Sequence, residues 1–511
     1  MNDTLAVVGG GSTSVSFIYH YLKQHDLGRD LPKTIYLCEK RGIFGPGAAY
    51  DEDLGTNILN TKCGFITPFD DKPSDFFNWL LRDEGKWRSD YKNFKLDVDS
   101  YAPRPLFGRY LQSRLSWLIK EAAARNINIL QINAEVIDVH SAGENYIITT
   151  DCHLTLKADY IFFFCGTMAA KIDSVENQSS RFLQTPYPIK DLPKKVKSDS
   201  AVAIVGSRLG CIDAVIGLIR QGHTGEITIH SRSGFFPSVR GSQGRIKNKI
   251  LTLETIDALV REKGKLDISD LALLIRKEIS YQDNTSLVSF ELPQAPTDIF
   301  KFLRDEIECA SKSRTWQAVL YTTNLIIDKM WSSLKDESKS EFLSKYFSVF
   351  MAYRVSIPVE NAKLILSYME SGQVKFLSGA FDVTSGKDAS PVIKMKDDKT
   401  DKLLEYDCVI NATGSPRNVM DLDSKLIGRM LSRGMMSAHE FGGVHVDLNS
   451  YQLVNSTGGV QERLYVVGEL TSGAFFFTSA LDINARHAKQ CVEGFALKLS
   501  SVPEKASFKS A

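Results

Sequence analysis

Apolar runs and a glycine-rich turn alternate over the first forty residues of the chain. A run that begins at Leu5 has the length of a buried parallel strand, and it ends in three glycines. Apolar positions from Val15 to Leu22 then predict a helix. Thr34–Cys38 predicts a second strand, which ends at Glu39. The order of these elements predicts a β–turn–α–β unit.

Similar patterns predict the elements of the remaining chain. Strands are predicted at 129–139, 146–150, 159–165, 201–205, 226–230, within 374–407, at 407–411 and at 463–467. Helices are predicted at 76–81, 111–122, 256–261, 270–279, 298–307, 316–334, 341–353 and 482–499. From about 241 to 369 the pattern is helical, which indicates an insertion into a chain that is otherwise α/β.

We therefore predict an α/β fold with two Rossmann-like dinucleotide-binding domains and a helical insertion. The first domain is expected to take residues 1–195 and 406–499, and the second to take residues 196–245 and 355–405. The insertion is expected at 246–354, where it lines a substrate pocket or an oligomer surface. Residues 500–511 are expected to form a disordered tail.

The first turn has the residues of a dinucleotide fingerprint. Gly9 permits a tight turn, and Gly11 lets the backbone approach a pyrophosphate. Ser14 replaces the usual third glycine and is small enough for close helix–strand packing. The helix N-terminus, which includes Ser12, offers N–H groups to the phosphates, and Glu39 is placed to accept hydrogen bonds from a ribose. The alternative is a glycine-rich turn without a ligand, and the acid at the end of the second strand counts against it.

A second nucleotide-type unit begins at Ala201. It has a strand, a turn at Gly206 and a helix, and its next strand is followed by Arg232. An arginine at this place suits a 2′-phosphate, so NADP(H) is favoured over NAD(H). The unit departs from the fingerprint at Arg208, where a small residue is usual. A side chain there either crowds the pyrophosphate or contacts it.

Charge and composition narrow the class of protein. The 511 residues include 62 Lys and Arg against 61 Asp and Glu, so nothing favours nucleic acid or an anionic membrane as a partner. No apolar run approaches the roughly 18 residues of a membrane span, and the N-terminus lacks a signal-peptide pattern. Eight scattered cysteines predict reduced thiols in the cytoplasm. His439 and His445 are the nearest histidine pair of interest, but no metal site is predicted.

Four features typical of FAD-binding proteins follow one another in a consistent order. They are GGGSTS with Glu39, the strand FFFCGT, the strand end NATG at 411–414, and VVGE at 466–469. The sequences GPGAAY, NILNT, PRPLFGRYL, GSRLGCID, SRSGFFP and YRVSIP complete the pattern. On these motifs the chain resembles the two-dinucleotide-binding-domain flavoproteins. It resembles more closely the FAD-NAD(P)-binding family related to the N-hydroxylating and Baeyer–Villiger monooxygenases.

This resemblance implies where the cofactors FAD and NADPH bind. The residues implied for FAD are Gly9, Gly11, Ser12, Ser14, Glu39, Thr61, Val136, Thr413, Gly414, Gly468 and Glu469. Those implied for NADPH are Gly206, Ser207, Arg208, Leu209 and Arg232. Asn60, Lys62 and Arg104 are candidates for the substrate pocket, with solvated charges as the alternative for Lys62 and Arg104. The other partners implied are a small-molecule substrate and O₂.

The resemblance also implies an FAD-dependent oxidoreductase, favouring an NADPH- and O₂-dependent monooxygenase that hydroxylates an amine or amino acid nitrogen. The flavin supplies this chemistry, so no nucleophilic side chain is required. One alternative is an oxidase or dehydrogenase with a vestigial NADPH site. Another is a non-catalytic, FAD-stabilised partner protein. Anaerobic mixing with NADPH separates the first two, and oxygen uptake with a substrate panel separates both from the third.

Overall fold

The computed structural model describes residues 4–171, 181–244, 246–287, 292–385, 391–396 and 402–501. The expected disordered tail lies outside these residues except at its start, where Ser500 and Ser501 end the last helix. Among the helices of the described ranges, none is long and apolar enough to cross a membrane. The chain divides into two compact units.

The elements of the described residues alternate as an α/β chain does. The strands are β1 Thr4–Val8, β2 Thr34–Cys38, β3 Asn128–Ile132, β4 Val136–Ala142, β5 Asn145–Thr150, β6 Thr155–Ala158, β7 Tyr160–Phe163, β8 Phe182–Leu183, β9 Val202–Val205, β10 Ile227–Ser231, β11 Val374–Ser378, β12 Phe381–Ser385, β13 Pro391–Met395, β14 Lys402–Glu405, β15 Cys408–Asn411, β16 Gln452–Val454 and β17 Val460–Val466. The helices are α1 Ser12–Asp26, α2 Asp75–Arg82, α3 Glu84–Trp87, α4 Arg104–Ala124, α5 Leu209–Arg220, α6 Leu253–Lys263, α7 Ile268–Gln282, α8 Ile299–Cys309, α9 Thr315–Thr322, α10 Ile327–Ser333, α11 Asp336–Glu341, α12 Phe347–Arg354, α13 Val359–Glu370, α14 Lys425–Ser432, α15 Ser472–Phe475 and α16 Leu481–Ser501.

The first unit comprises the described residues of Met1–Asp51, Thr61–Met168 and Arg417–Ala511. Its main sheet has six strands in the order β16-β17-β7-β1-β2-β3, with β1 parallel to both of its neighbours. Helix α1 packs against α16 and α4. The Phe162 ring of β7 lies 4.6 Å from both Phe17 of α1 and Tyr465 of β17. This aromatic core fixes α1, and with it the first turn, against the sheet.

The second unit comprises Glu52–Asn60 and the described residues of Ala169–Pro416. Its main sheet has five strands in the order β11-β10-β9-β15-β8, all paired in parallel. Helix α5 is buried along most of its length, with Ile212, Val215 and Leu218 nearly inaccessible. Helices α6–α12 occupy the predicted insertion, and α13 packs against α5. The packing of α5 therefore holds the second turn against its sheet.

Three predicted elements are divided in the structure. The predicted strand 129–139 forms β3, which pairs with β2, and β4, which pairs with β5 of a separate three-stranded sheet. A turn at residues 133–135 separates them, and apolar alternation continues through that turn. The predicted helix 316–334 forms α9, a 3₁₀ turn and α10. The predicted helix 341–353 contains the π-helical segment Phe342–Tyr346, followed by α12.

Strand β15 lies in a different sheet from the one expected. We expected residues 406–499 to complete the first domain, but β15 pairs with β9, with Cys408 opposite Val202. Thr413 and Gly414, which follow β15, therefore belong to the second unit and not to the first domain as we expected, and their contact with FAD stays a prediction. A short apolar strand is equally suited to the centre of either parallel sheet, so its sequence does not distinguish them.

Candidate functional site

The first turn has the backbone of a dinucleotide site. Gly9 has a φ of 109°, and a Cβ there would lie 2.2 Å from the Phe164 carbonyl oxygen, so only glycine fits. Gly11 is the N-cap residue of α1. No side chain caps this helix, and its first turn contains no acidic residue. The N-terminus of α1 thus presents backbone N–H groups and a positive dipole end, which suits a pyrophosphate.

Glu39 is held at the edge of this turn. Its carboxylate is buried and accepts hydrogen bonds from the backbone N–H groups of Gly10 at 3.0 Å and Arg41 at 3.2 Å. The Arg41 guanidinium lies 3.4 Å from the same carboxylate. Because an ionised carboxylate has about four acceptor positions, these contacts leave capacity for the hydroxyls of a ribose. The turn and this acid fit the FAD that the sequence predicts.

The GPG loop packs directly on the turn. Gly45 donates its backbone N–H to the Gly10 carbonyl at 2.7 Å. A Cβ on Gly11 would lie 3.3 Å from Gly47 Cα, so Gly11 also allows close packing of this loop. The Ser14 hydroxyl donates to the Gly9 carbonyl and stabilises the turn from inside. Ser12, the first residue of α1, is half-buried.

The segment after β17 brings an acid and a base together in the first unit. Gly468, with a φ of 97°, leads into a 3₁₀ turn at Glu469–Thr471. Burial raises the pKa of Glu469, and the nearby Arg417 guanidinium opposes that shift. Arg417 donates to the carbonyls of Phe441 at 2.9 Å and Ser472 at 3.3 Å. Sequence reasoning missed Arg417, although it follows the NATG strand end by three residues.

The remaining candidates for a substrate or FAD contact have less specific surroundings. Lys62 forms an ion pair with Asp99 at 3.0 Å, which favours the simpler interpretation as a solvated charge. Arg104 begins α4, and its charge opposes the burial that raises the pKa of Tyr50 to about 12. Thr61 is half-buried, and Val136 is buried at the start of β4. Asn60 belongs to the second unit. Their roles at a substrate or FAD stay predictions.

The second turn repeats the first in the other unit. Gly206 has a φ of 105°, and a Cβ there would lie 2.9 Å from the Ala412 carbonyl oxygen. Arg208 is the N-cap residue of α5, which has no side-chain cap and no acid in its first turn. The guanidinium of Arg208 lies over the Phe347 ring at 5.1 Å, and burial lowers its pKa. A partly buried cation at a helix N-terminus is suited to a phosphate.

The side chains around the second turn have distinct surroundings. Ser207 donates to the Phe235 carbonyl at 2.7 Å, so its hydroxyl ties the turn to the loop after β10. Leu209, the first residue of α5, packs against the apolar core of its unit. Arg232 directly follows β10 and is exposed. Thr413 and Gly414 are also exposed, beyond the end of β15.

A buried polar network holds the loop that follows β10. Glu306 of α8 accepts hydrogen bonds from the Ser238 hydroxyl at 2.6 Å and the Val239 N–H at 2.8 Å, and it pairs with Arg314 at 2.8 Å. The loop then presents Arg240, whose guanidinium stacks on Tyr321 at 4.2 Å. Sequence reasoning missed these residues because Ser238 and Val239 lie 67 or more positions from Glu306 along the chain.

The comparisons with known proteins agree with this geometry. Residues 6–168 match the family model described as FAD-NAD(P)-binding. No curated protein sequence matches the chain. Among solved structures, the chain is similar to L-lysine 6-monooxygenase from Pseudomonas syringae, with 12% identity, coverage of 98% of this chain and 99% of that chain, and a TM-score of 0.58. It is also similar to ornithine N-hydroxylase from Kutzneria sp. 744, with 13% identity, coverage of 98% and 100%, and a TM-score of 0.54.

These findings confirm two levels of the sequence prediction. The family match confirms the resemblance to FAD-NAD(P)-binding flavoproteins and the predicted cofactor class. The structural similarity confirms the α/β fold of the two-dinucleotide-binding-domain flavoproteins. At 12% to 13% identity the similarity establishes the fold alone, so the assignments of individual site residues stay predictions.

Proposed function

We propose that the protein is an FAD- and NADPH-dependent monooxygenase that uses O₂ to hydroxylate the amine nitrogen of a small molecule, an amino acid being the favoured substrate class. The observation that carries this proposal is the second uncapped turn, with Arg208 at the N-terminus of α5. A flavoprotein that takes electrons only from its substrate needs no second nucleotide site. One of the similar structures is described with reduced FAD, NADP⁺ and L-ornithine, which supports the proposal.

The first unit binds and orients the flavin nucleotide in this proposal. Bound FAD supplies the redox and oxygen chemistry. The N–H groups at the start of α1 hold the pyrophosphate, for which Gly11 leaves room, and Glu39 accepts hydrogen bonds from the ribose. Glu469 and Arg417 hold opposite charges at the segment that the resemblance assigns to the flavin. In this buried pair each charge stabilises the ionised form of the other.

The second unit binds the reductant. The guanidinium of Arg208 contacts the pyrophosphate of NADPH, and its stacking on Phe347 holds it at the N-terminus of α5. Arg232 pairs with the 2′-phosphate, which is the charge that distinguishes NADPH from NADH. The guanidinium group suits phosphate because its planar array of N–H donors matches the phosphate oxygens.

The test is anaerobic mixing of the FAD-loaded protein with NADPH and, separately, with NADH. We expect NADPH to bleach the flavin absorbance, and NADH to do so only at a much higher concentration. Oxygen uptake is then measured with a panel of amines and amino acids that includes L-lysine and L-ornithine. Hydroxylated product must form in proportion to the oxygen consumed. A flavin that stays oxidised under NADPH would overturn the proposal.

One structural observation favours a second candidate. Arg208 fills the position where the first turn has Gly11, and its side chain is partly buried against Phe347. If the side chain excludes the dinucleotide, the protein is an FAD-dependent oxidase or dehydrogenase that is reduced directly by its substrate. Flavin bleaching by substrate without NADPH identifies this case. A non-catalytic FAD-stabilised protein shows neither reaction.

The state of the cysteines fits a reducing compartment. All eight cysteines are free thiols, and five of them are buried. Disulfides are rare in the cytoplasm, so we propose that the protein works there. The helical insertion α6–α12 is our proposed surface for assembly into a homo-oligomer, which size-exclusion chromatography with light scattering tests.

A further inference from the structure

Three side chains outside the proposed nucleotide sites converge on one turn of the first unit. The turn is closed by two backbone hydrogen bonds, from His439 N–H to the Gly443 carbonyl at 3.0 Å and from His445 N–H to the Ser437 carbonyl at 2.9 Å. Gly443, with a φ of 67°, supplies the tight bend. The bend brings His439 and His445 to the same side, with their rings 4.4 Å apart.

Glu440 completes the cluster. Its Oε2 atom lies 3.5 Å from His439 Nδ1 and 3.5 Å from His445 Nε2. One ligand atom from each of the three residues lies within 4.8 Å of the other two. Donor atoms bound to one tetrahedral ion at 2.0–2.1 Å are about 3.3 Å apart, so small side-chain rotations complete the geometry.

The protein already holds His439 in a form that can bind a metal. The Phe441 N–H donates to Nδ1 at 3.1 Å, so this nitrogen carries a lone pair and the proton is on Nε2. An ion at Nδ1 takes the place of the Phe441 N–H at that atom. The ring also lies against the backbone of α15. A Cβ added to Gly473 of that helix would be only 2.5 Å from Nδ1. This packing restricts the ring to few orientations, as at a preorganised ligand.

We propose that His439, Glu440 and His445 bind one divalent transition-metal ion of the zinc class. Two imidazole nitrogens and one carboxylate oxygen suit borderline ions such as Zn²⁺ and Co²⁺, whereas Mg²⁺ and Ca²⁺ prefer oxygen ligands. The side chains of Glu440 and His445 are 56% and 39% exposed, so an ion has access to the site and water completes its coordination. The sequence predicted no metal here because its spacing matches no common ligand motif.

The bound ion stabilises a turn that supports the segment after β17. Gly443 donates its N–H to the Arg417 carbonyl at 2.8 Å, and Val444 donates to the Leu470 carbonyl at 2.8 Å. The turn therefore bridges Arg417 and the 3₁₀ segment that contains Glu469. A metal that closes the turn restrains both residues. Its role is structural, because none of its three ligands is a proposed contact of a cofactor or a substrate.

The experiment titrates the FAD-loaded protein, after dialysis against a chelator, with Zn²⁺ by calorimetry and with Co²⁺ by visible absorption. We expect one equivalent of either ion to bind, with a Co²⁺ band at wavelengths beyond the flavin absorption, and Mg²⁺ to give no heat. His445→Gln and Glu440→Gln are each expected to weaken Zn²⁺ binding at least tenfold. His25→Gln, on α1 and outside the cluster, is the matched control and must bind as the wild type does.

Two outcomes overturn the proposal: no stoichiometric Zn²⁺ binding by the wild type, or equal binding by His445→Gln and the wild type. The flavin spectrum of each variant reports that it is folded. If His445→Gln loses FAD, the more exposed Glu440→Gln decides the result. None of these measurements uses turnover, so a failed metal site and a failed monooxygenase proposal are distinguished.

Discussion

The turns at Gly9 and Gly206 have nearly the same backbone, although they lie in different units of the chain. Their φ angles are 109° and 105°, and each glycine N–H donates at 2.9 Å to the carbonyl of the neighbouring strand. The N-cap residues Gly11 and Arg208 share extended backbone angles, with ψ of −164° and −162°. The difference between the turns is therefore in the side chains.

In our proposal, that difference gives each turn a separate task. At the first turn, the absence of a side chain on Gly11 lets backbone lie close, and buried Glu39 follows the second strand. At the second turn, Arg208 stands at the position of Gly11, the buried Ser231 at that of Glu39, and Arg232 is the next residue after Ser231. A turn followed by a buried acid suits a ribose diol, whereas two cations suit the additional phosphate of NADPH. The same backbone is thus specialised by charge.

The largest effect is expected from Gly9→Ala. Its Cβ would overlap the Phe164 carbonyl at 2.2 Å in a backbone conformation that alanine rarely adopts. We expect a loss of about 3 kcal/mol or more in the free energy of unfolding, measured by urea denaturation. Gly206→Ala should cost less because its Cβ stays 2.9 Å from the nearest atom.

Gly28→Ala is the matched control for this pair. Gly28 also has a positive φ, of 78°, but a Cβ there would meet nothing within 4 Å. It therefore isolates the cost of the left-handed backbone, about 1 kcal/mol. If Gly9→Ala were no more destabilising than Gly28→Ala, the close approach to Phe164 would not restrict the turn.

The next effect concerns FAD binding. We expect Gly11→Val to abolish FAD retention, with at least a hundredfold loss of affinity, because a branched side chain displaces the Gly47 loop and the pyrophosphate together. Protein-bound flavin is measured after gel filtration. Gly85→Val, at an exposed position with nothing within 4 Å, is the control. A Gly11→Val variant that retains FAD would show that the turn is only structural.

Arg208 gives the sharpest contrast between the two turns. We expect Arg208→Ala and Arg208→Gly to raise the half-saturating NADPH concentration for anaerobic flavin reduction by about tenfold or more, the equivalent of roughly 1.4 kcal/mol. Arg220→Ala, at the exposed C-terminal end of the same helix, should leave it unchanged. If both Arg208 variants reduced the flavin at lower NADPH, the arginine would block the site, and the oxidase hypothesis would be favoured.

The turns were predictable because their determinants are local. Gly9, Ser14 and Glu39 lie within one β–turn–α–β unit, and the reasons for each residue type are steric or electrostatic over a few positions. The pairing of β1 with β2 follows from the short connection through α1. The same reasoning predicted Gly206 and the position of Arg208.

The features of the fold and the site that the sequence did not predict depend mostly on contacts between distant residues. The partners of Glu306 and the stacking of Arg208 on Phe347 join segments far apart in the sequence, so no local pattern indicates them. The sheet to which β15 belongs was assigned wrongly, because the sequence of an apolar strand ending in Asn-Ala-Thr-Gly does not indicate which strand it pairs with. The sequence named His439 and His445 as a pair but did not indicate that they form a cluster with Glu440, because only the folded turn brings the three side chains together.

The smallest expected effect concerns one hydrogen bond inside the first turn and the residue at the same position of the second turn. Ser14 donates its hydroxyl to the Gly9 carbonyl, and the corresponding residue of the second turn, five positions after Gly206, is the buried Cys211. We expect Ser14→Ala to lower the free energy of unfolding by about 1 kcal/mol, the usual value of one intramolecular hydrogen bond. Urea denaturation of the FAD-loaded protein measures it.

Cys211→Ser provides the converse experiment. Because the two turns share their backbone angles, the new hydroxyl should reach the Gly206 carbonyl as Ser14 reaches that of Gly9. A buried hydroxyl with a partner costs little, so we expect a change within about 0.5 kcal/mol of the wild type. Cys408→Ser, at a buried strand position in β15, has no such turn geometry and should cost about 1–3 kcal/mol. Equal losses for the two cysteine variants would mean that Gly206 does not accept the bond, and that the turns match in backbone angles alone.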